Sequence, residues 1–287
     1  MATLSIRQLH LGDAVDFLLT ASPLIVGILV VPTLAAASGR EHPSFPLTLP
    51  LRPSQLRKHF LWSNASPWYT AVSHVLCHAD ANHQAGNLTA LLLTGTSLHA
   101  ALGRVGWWVT ILGGALTAAA DPLQWRAKQT KNWLDAWTWD MLPSFTPAVA
   151  RAWTASSGWA ACGASAAVSA QCGGEAALCL HQFLSVLAHM RDAGRDVPDT
   201  LLIPAVTHAF MLSRAVSFVL AEHRAIGSGA SLAVWHGAHL TGFGWGVGCY
   251  VMYALARRFR WRAPWTLRRE RWSGQHSRGG GRRLGGR

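Results

Sequence analysis

Residues 17–37 read FLLTASPLIVGILVVPTLAAA, a run without a single charged side chain. About 20 consecutive apolar residues, wound as a helix, cross the hydrocarbon core of a bilayer. The run therefore predicts a membrane-spanning helix. It raises the hypothesis of a membrane protein, with which the rest of the chain is compared. A cleaved signal peptide is the rival interpretation, because the run lies near the N-terminus and is followed by small residues.

The rest of the chain has the composition of a membrane protein. Half of the 287 residues are apolar and only 13 % are charged, against roughly 25 % charged residues in an ordinary soluble domain. Apolar runs predict five further spans, at about residues 85–102, 105–120, 159–189, 201–221 and 232–256. We therefore expect an all-α membrane protein whose six transmembrane helices occupy residues 1–256, with a loop insertion at 121–158 between helices three and four.

Positive charge is concentrated at the C-terminus. Residues 257–287 carry eleven arginines, and the formal net charge of the chain is +12. Arginines next to an apolar segment favour a cytoplasmic flank that faces anionic lipid, and the Gly-rich end predicts disorder. We expect a lipid bilayer as the partner of this tail and no nucleic acid, since the basic residues form one terminal block.

A first polar cluster leads into the second predicted span. His83 and Asn87 are four residues apart, so on a helix they share one face. An imidazole and a carboxamide on one face place two hydrogen-bond donors near one point, as an oxyanion hole requires. The structural alternative is ordinary polarity at a helix entry.

Two more clusters begin the fourth and sixth spans. Ser165 follows Gly163 at a predicted helix N-terminus, where backbone N–H groups are free. His239 follows His236 by three residues, and a histidine can activate a serine by taking its proton. The alternatives are small-residue packing for the serine and a buried, carbonyl-bonded histidine for the base.

Topology predicts that these clusters share one depth. If the basic tail is cytoplasmic, spans two, four and six all enter from the opposite side of the membrane. The clusters of His83, Ser165 and His239 each lie near the start of their span. Polar groups are costly inside membranes, so their common depth favours one functional site.

The chain resembles the rhomboid intramembrane proteases from His74 to about Gly246, with a divergent middle. The family's paired upstream histidines and H-x-x-x-N motif match His74, His78, His83 and Asn87. Its serine motif G-x-S-G corresponds to Gly163, Ser165 and Ala166. Its base motif A-H-x-x-G-x-x-x-G corresponds to Ala238, His239, Gly242 and Gly246.

The resemblance implies a serine endopeptidase that cleaves transmembrane segments of other membrane proteins with a Ser–His dyad, no third acid, no cofactor and no metal. Ser165 would be the nucleophile and His239 the base, while His83, Asn87 and the Ser165 N–H would bind the oxyanion. The HAD sequence at His78 is similar to the endoplasmic-reticulum subgroup, which implies a multi-pass protein of that or another endomembrane. Supporting positions are Gly163, His78, His236, Gly242 and Gly246.

Two positions depart from the family pattern. Ala166 replaces the glycine after the serine, and Ser169 stands where the family often has an aromatic ring against the base. These departures keep open a catalytically inactive rhomboid-like pseudoprotease that binds membrane clients. A metal transporter or metalloprotease built on the histidines is a further alternative, although the chain has no HExxH motif.

Overall fold

The computed structural model describes residues 10–62, 66–119, 163–193, 199–228 and 236–260. Within these ranges the chain is helical and contains no β-strand, which confirms the all-α prediction. The helices, in chain order, are α1 Leu11–Val30, α2 Leu34–Ala37, α3 Pro53–Phe60, α4 Thr70–Ser73, a 3₁₀ turn His74–Leu76, α5 Ala81–Ala119, α6 Ser165–Ala193, α7 Asp199–Ser228 and α8 His236–Arg260.

The predicted second and third spans form the two halves of α5. Gly103 breaks the helix with φ 72° and ψ 174°, a left-handed backbone that a residue with a Cβ adopts only under strain. The neighbouring Arg104 forms an ion pair with Asp16 of α1. The turn expected between spans two and three is therefore present as a sharp break within α5.

Helix α1 packs along α5 through an apolar stripe. Phe17, Ala21, Leu24 and Ile28 recur at helical spacing and are all buried. The Phe17 ring occupies the space where a side chain at Gly95 of α5 would lie. Close contact at this glycine holds the first helix against the core.

One buried amide joins α6 to both halves of α5. The Gln171 side chain donates to the Leu91 carbonyl at 2.8 Å and to the Thr94 hydroxyl at 2.7 Å. Its oxygen accepts from the indole N–H of Trp107 at 2.9 Å. Since unsatisfied buried polar groups are costly, this network fixes the register of α6 and thus the position of Ser165 at its start.

Two segments of the described chain are long and apolar enough to cross a membrane, Leu11–Ala37 and Leu201–Arg224. Six membrane spans were expected, so the length and hydropathy of the helices support two of the six predicted spans. The other long helices of the described chain do not combine the same length and hydropathy; α6, for example, carries the buried polar side chains of Gln171 and Glu175.

The chain divides into two compact units, Met1–Tyr250 and Val251–Arg287. The predicted boundary between the membrane domain and the basic tail, at residues 256 and 257, lies six residues from this division. The predicted loop insertion at 121–158 and the tail beyond residue 260 lie outside the described residues.

Candidate active site

The backbone just before Ser165 is held by two histidines of the 3₁₀ region. The Gly163 N–H donates to the His74 carbonyl oxygen at 2.9 Å. The Ala164 N–H donates to Nε2 of His78 at 3.3 Å. Ser165 then begins α6 as a half-buried residue. The histidines that precede the second span therefore fix the segment that presents the serine.

His78 must be neutral to hold this contact. Burial first, and the nearby His83 second, lower the pKa of His78 from 6.5 to about 3. Its Nε2 accepts from Ala164, so the ring proton resides on Nδ1. The supporting role expected of His78 thus takes the form of a hydrogen-bond acceptor for the serine segment.

Gly163 is required by both its backbone and its surroundings. Its φ of +100° lies in the region that favours glycine. A Cβ at this position would lie 2.6 Å from Cε1 of His83. The structure therefore brings the His83 ring against Gly163, two residues before Ser165, while its role in binding an oxyanion stays a prediction.

Asn87 lies one helical turn after His83 on α5 and is only 8 % exposed. Its amide nitrogen Nδ2 is buried and has no hydrogen-bond partner. A buried unpartnered donor is costly, and such a cost is typical of a group that awaits a ligand. This side chain is thus available to stabilise a developing negative charge.

Helices α6 and α8 meet through glycine. A Cβ at Gly242 would overlap the carbonyl oxygen of Ala166, and one at Gly246 would overlap that of Ala170. The matching steps of four residues show that the two helices run parallel. His239 lies one turn before Gly242, so this register brings it to the level of Ser165.

The predicted nucleophile and base are not hydrogen-bonded to each other. Within the described residues, Ser165 and His239 form no direct hydrogen bond. The residue after the serine, Ala166, packs against Ala238, and His239 lies within electrostatic range of His83. Catalytic hydrogen bonds are often loose before substrate binds, so the Ser165–His239 pair stays a prediction.

A third polar group, Glu222 of α7, lies beside the predicted base. Its Oε2 is 2.6 Å from Nδ1 of His236 and 3.1 Å from Nδ1 of His239. The three side chains are 12–17 % exposed. The distance between Glu222 Oε2 and His239 Nδ1 is that of a hydrogen bond, but the geometry is not, and Nδ1 of His239 has no hydrogen-bond partner. Sequence reasoning missed Glu222, because it follows the predicted end of the fifth span by one residue.

The two departures from the family pattern have structural counterparts. The Ala166 side chain is buried against Ala238 in a small apolar contact between α6 and α8. Ser169 is buried as well, and the ring beside His239 comes instead from Phe218 of α7, with 6.5 Å between ring centroids. Phe218 itself stacks on Phe243.

The histidines do not gather into one metal site. Among the described residues, the group with metal-like spacing is Glu222, His236 and His239, whose ligand atoms lie within 4.8 Å of one another. His74 and His78 instead hold the serine segment. The alternative in which His74, His78, His83, His236 and His239 all converge on one metal therefore does not fit the described residues, whereas the smaller group of Glu222, His236 and His239 keeps metal-like spacing.

Comparison with known proteins adds no relative to this picture. No protein-family model, curated protein or solved structure matches the chain.

Proposed function

We propose that the protein is an intramembrane serine endopeptidase of the rhomboid type, which cleaves transmembrane segments of other membrane proteins. One observation carries the proposal: the segment that ends in Ser165 is hydrogen-bonded to His74 and His78 and lies against His83. Three histidines thus contact the segment before one half-buried serine, and Asn87 supplies a buried donor that has no partner. This arrangement is expected of a nucleophile and not of a packing residue.

Each of these residues has a separate role in the proposed reaction. Ser165 Oγ attacks the carbonyl carbon of the scissile peptide while His239 takes the hydroxyl proton. The Asn87 amide and the His83 imidazole then donate to the oxyanion of the tetrahedral intermediate. His239 returns the proton to the leaving amine, and water later hydrolyses the acyl-enzyme ester by the reverse roles.

The exterior of the bundle supports a membrane location. Large apolar side chains stand out from the surface, among them Leu93, Val105 and Ile203, each more than 70 % exposed. Many exposed large apolar side chains are unfavourable in water and are expected of a protein that faces lipid. We propose six spans, an endomembrane such as the endoplasmic reticulum and a cytoplasmic C-terminus.

Labelling with a serine-directed fluorophosphonate tests the proposal. The probe phosphonylates a serine only when a neighbouring base activates it, so we expect wild-type protein to be labelled and Ser165→Ala to remain unlabelled. Ser169→Ala is the matched control, because this serine lies one turn later in α6 and is buried. Labelling that survives in Ser165→Ala would contradict the assignment of the nucleophile.

A client-binding pseudoprotease is the second candidate, and the absence of a Ser165–His239 hydrogen bond within the described residues favours it. The same experiment separates the two. Well-folded wild-type protein that takes no label would support the binder.

A further inference from the structure

Glu222 is an ionisable side chain that the dyad mechanism does not use. It is 13 % exposed near the end of α7, and its carboxylate meets two imidazoles of α8, those of His236 and His239. A buried carboxylate is costly unless charged or hydrogen-bonding groups compensate it. The two histidines supply that compensation, so these three side chains form a single unit.

The contact selects one nitrogen of the base. Glu222 approaches His239 at Nδ1, 3.1 Å away. A carboxylate at Nδ1 keeps the proton there, which leaves Nε2 unprotonated and free to accept a proton from a serine. It also stabilises the imidazolium that forms when His239 takes the proton of Ser165.

We propose that Glu222 is a positioning residue that completes a Ser165–His239–Glu222 triad. The inference rests on the proposed protease function and extends it, because a dyad mechanism leaves the base without an acid. Glu222 does not touch the substrate: it acts by fixing the tautomer and the orientation of the His239 ring.

His236 has a defined place in this arrangement. Its Nδ1 lies 2.6 Å from the same Oε2, closer than the nitrogen of His239. His236 therefore holds the carboxylate in position from one turn earlier in α8. Phe218, one turn before Glu222 on α7, lies beside the His239 ring with 6.5 Å between the ring centroids.

The distance between Glu222 and His236 fits a hydrogen bond better than two ligands of one metal ion. Two ligand atoms of a tetrahedral zinc ion, each about 2.0–2.1 Å from the metal, lie roughly 3.3 Å apart. The separation of 2.6 Å between Glu222 Oε2 and His236 Nδ1 is instead that of a short hydrogen bond.

Steady-state cleavage by the full-length protein in liposomes tests the proposal. We expect Glu222→Gln to lower kcat by roughly 10²- to 10⁴-fold, as loss of a triad acid does, with KM little changed. Glu222→Asp keeps the charge and draws it back by one methylene, so its kcat should lie between those of wild type and Glu222→Gln. Glu175→Gln is the matched control, since this buried carboxylate of α6 contacts Cys179 and no histidine.

The outcomes separate the inference from the proposed function. Failure of wild-type protein to cleave or to take a fluorophosphonate label would refute the protease itself. Labelling that depends on Ser165, together with full activity of folded Glu222→Gln, would overturn only the triad. One equivalent of zinc in purified wild-type protein that is lost in Glu222→Gln would also overturn it. If the Gln variant unfolds, a lowered kcat with unchanged KM in folded Glu222→Asp supports the triad, and a wild-type kcat in that variant overturns it.

Discussion

Gly242 of α8 lies directly against the carbonyl oxygen of Ala166, with no room for a Cβ between the two helices. Ala166 follows the predicted nucleophile, and Gly242 follows the predicted base by one turn. This contact therefore fixes how closely α6 and α8 approach each other beside the predicted nucleophile and base.

A methyl group at this contact should separate the helices. We expect Gly242→Ala to lower the free energy of unfolding by about 1–3 kcal/mol, the usual cost of overpacking, and to reduce cleavage. Thermal unfolding in detergent and a cleavage assay measure the two effects. Gly248→Ala is the matched control, because a Cβ there meets nothing within 4 Å. Equal behaviour of the two variants would contradict the close contact.

Removal of the Asn87 amide should slow the chemical step. We expect Asn87→Ala to lower kcat by about 10²- to 10³-fold, the usual effect of losing one oxyanion donor, with little change in KM. Kinetics on a transmembrane substrate measure both constants. Asn82→Ala removes an exposed amide at the start of the same helix and should leave kcat unchanged. A change confined to KM would assign Asn87 to substrate binding instead.

The two histidines of α8 should differ in importance. We expect His239→Ala to abolish cleavage, because it removes the proton acceptor, whereas His236→Ala should only weaken it, because His236 contacts the carboxylate of Glu222 and not the serine. Initial rates of the two variants make the comparison. Activity that persists in His239→Ala but vanishes in His236→Ala would reverse the assignment of the base.

Acid should destabilise the fold through His78. Its pKa falls from 6.5 in the exposed state to about 3 in the fold because of burial. Below pH 6.5 His78 is protonated in the unfolded chain but stays neutral in the fold. Its contribution to the free energy of unfolding is therefore complete above pH 6.5 and decreases below it. It should then decrease by roughly 1.4 kcal/mol per pH unit toward pH 3.

The pH dependence of thermal unfolding, compared between wild type and His78→Gln, isolates this contribution from that of His74, whose pKa burial also lowers. The variant should lose part of the acid sensitivity. His189→Gln replaces an exposed histidine of α6 and serves as the control. An unchanged slope in His78→Gln would contradict a buried, neutral imidazole.

Sequence periodicity was sufficient to locate the long helices. The predicted spans match α1 and α5 to α8 to within several residues at each end, and the break between spans two and three falls at Gly103. Gly103 was detectable because glycine next to Arg104 interrupts an apolar run. The short helices α3 and α4 were not predicted, since at eight and four residues they form no long apolar run.

Sequence motifs named candidate residues for the site, but they did not reveal the contacts that packing makes around them. His83, Asn87, Ser165 and His239 stand near the starts of predicted spans, so topology predicts a common depth, which stays a prediction. The hydrogen bond from Ala164 to His78 links residues 86 positions apart, and a single sequence does not reveal such a contact. Glu222 was within reach of the depth argument, because the fifth span ends on the side where the sixth begins.

The most direct test of the account is a cleavage assay in liposomes, with a transmembrane substrate whose helix is destabilised near the scissile bond. Wild-type protein and Ser169→Ala should release fragments whose new ends, read by mass spectrometry, lie within the membrane segment, and Ser165→Ala should release none. Fragments produced by Ser165→Ala at the wild-type rate would contradict the account.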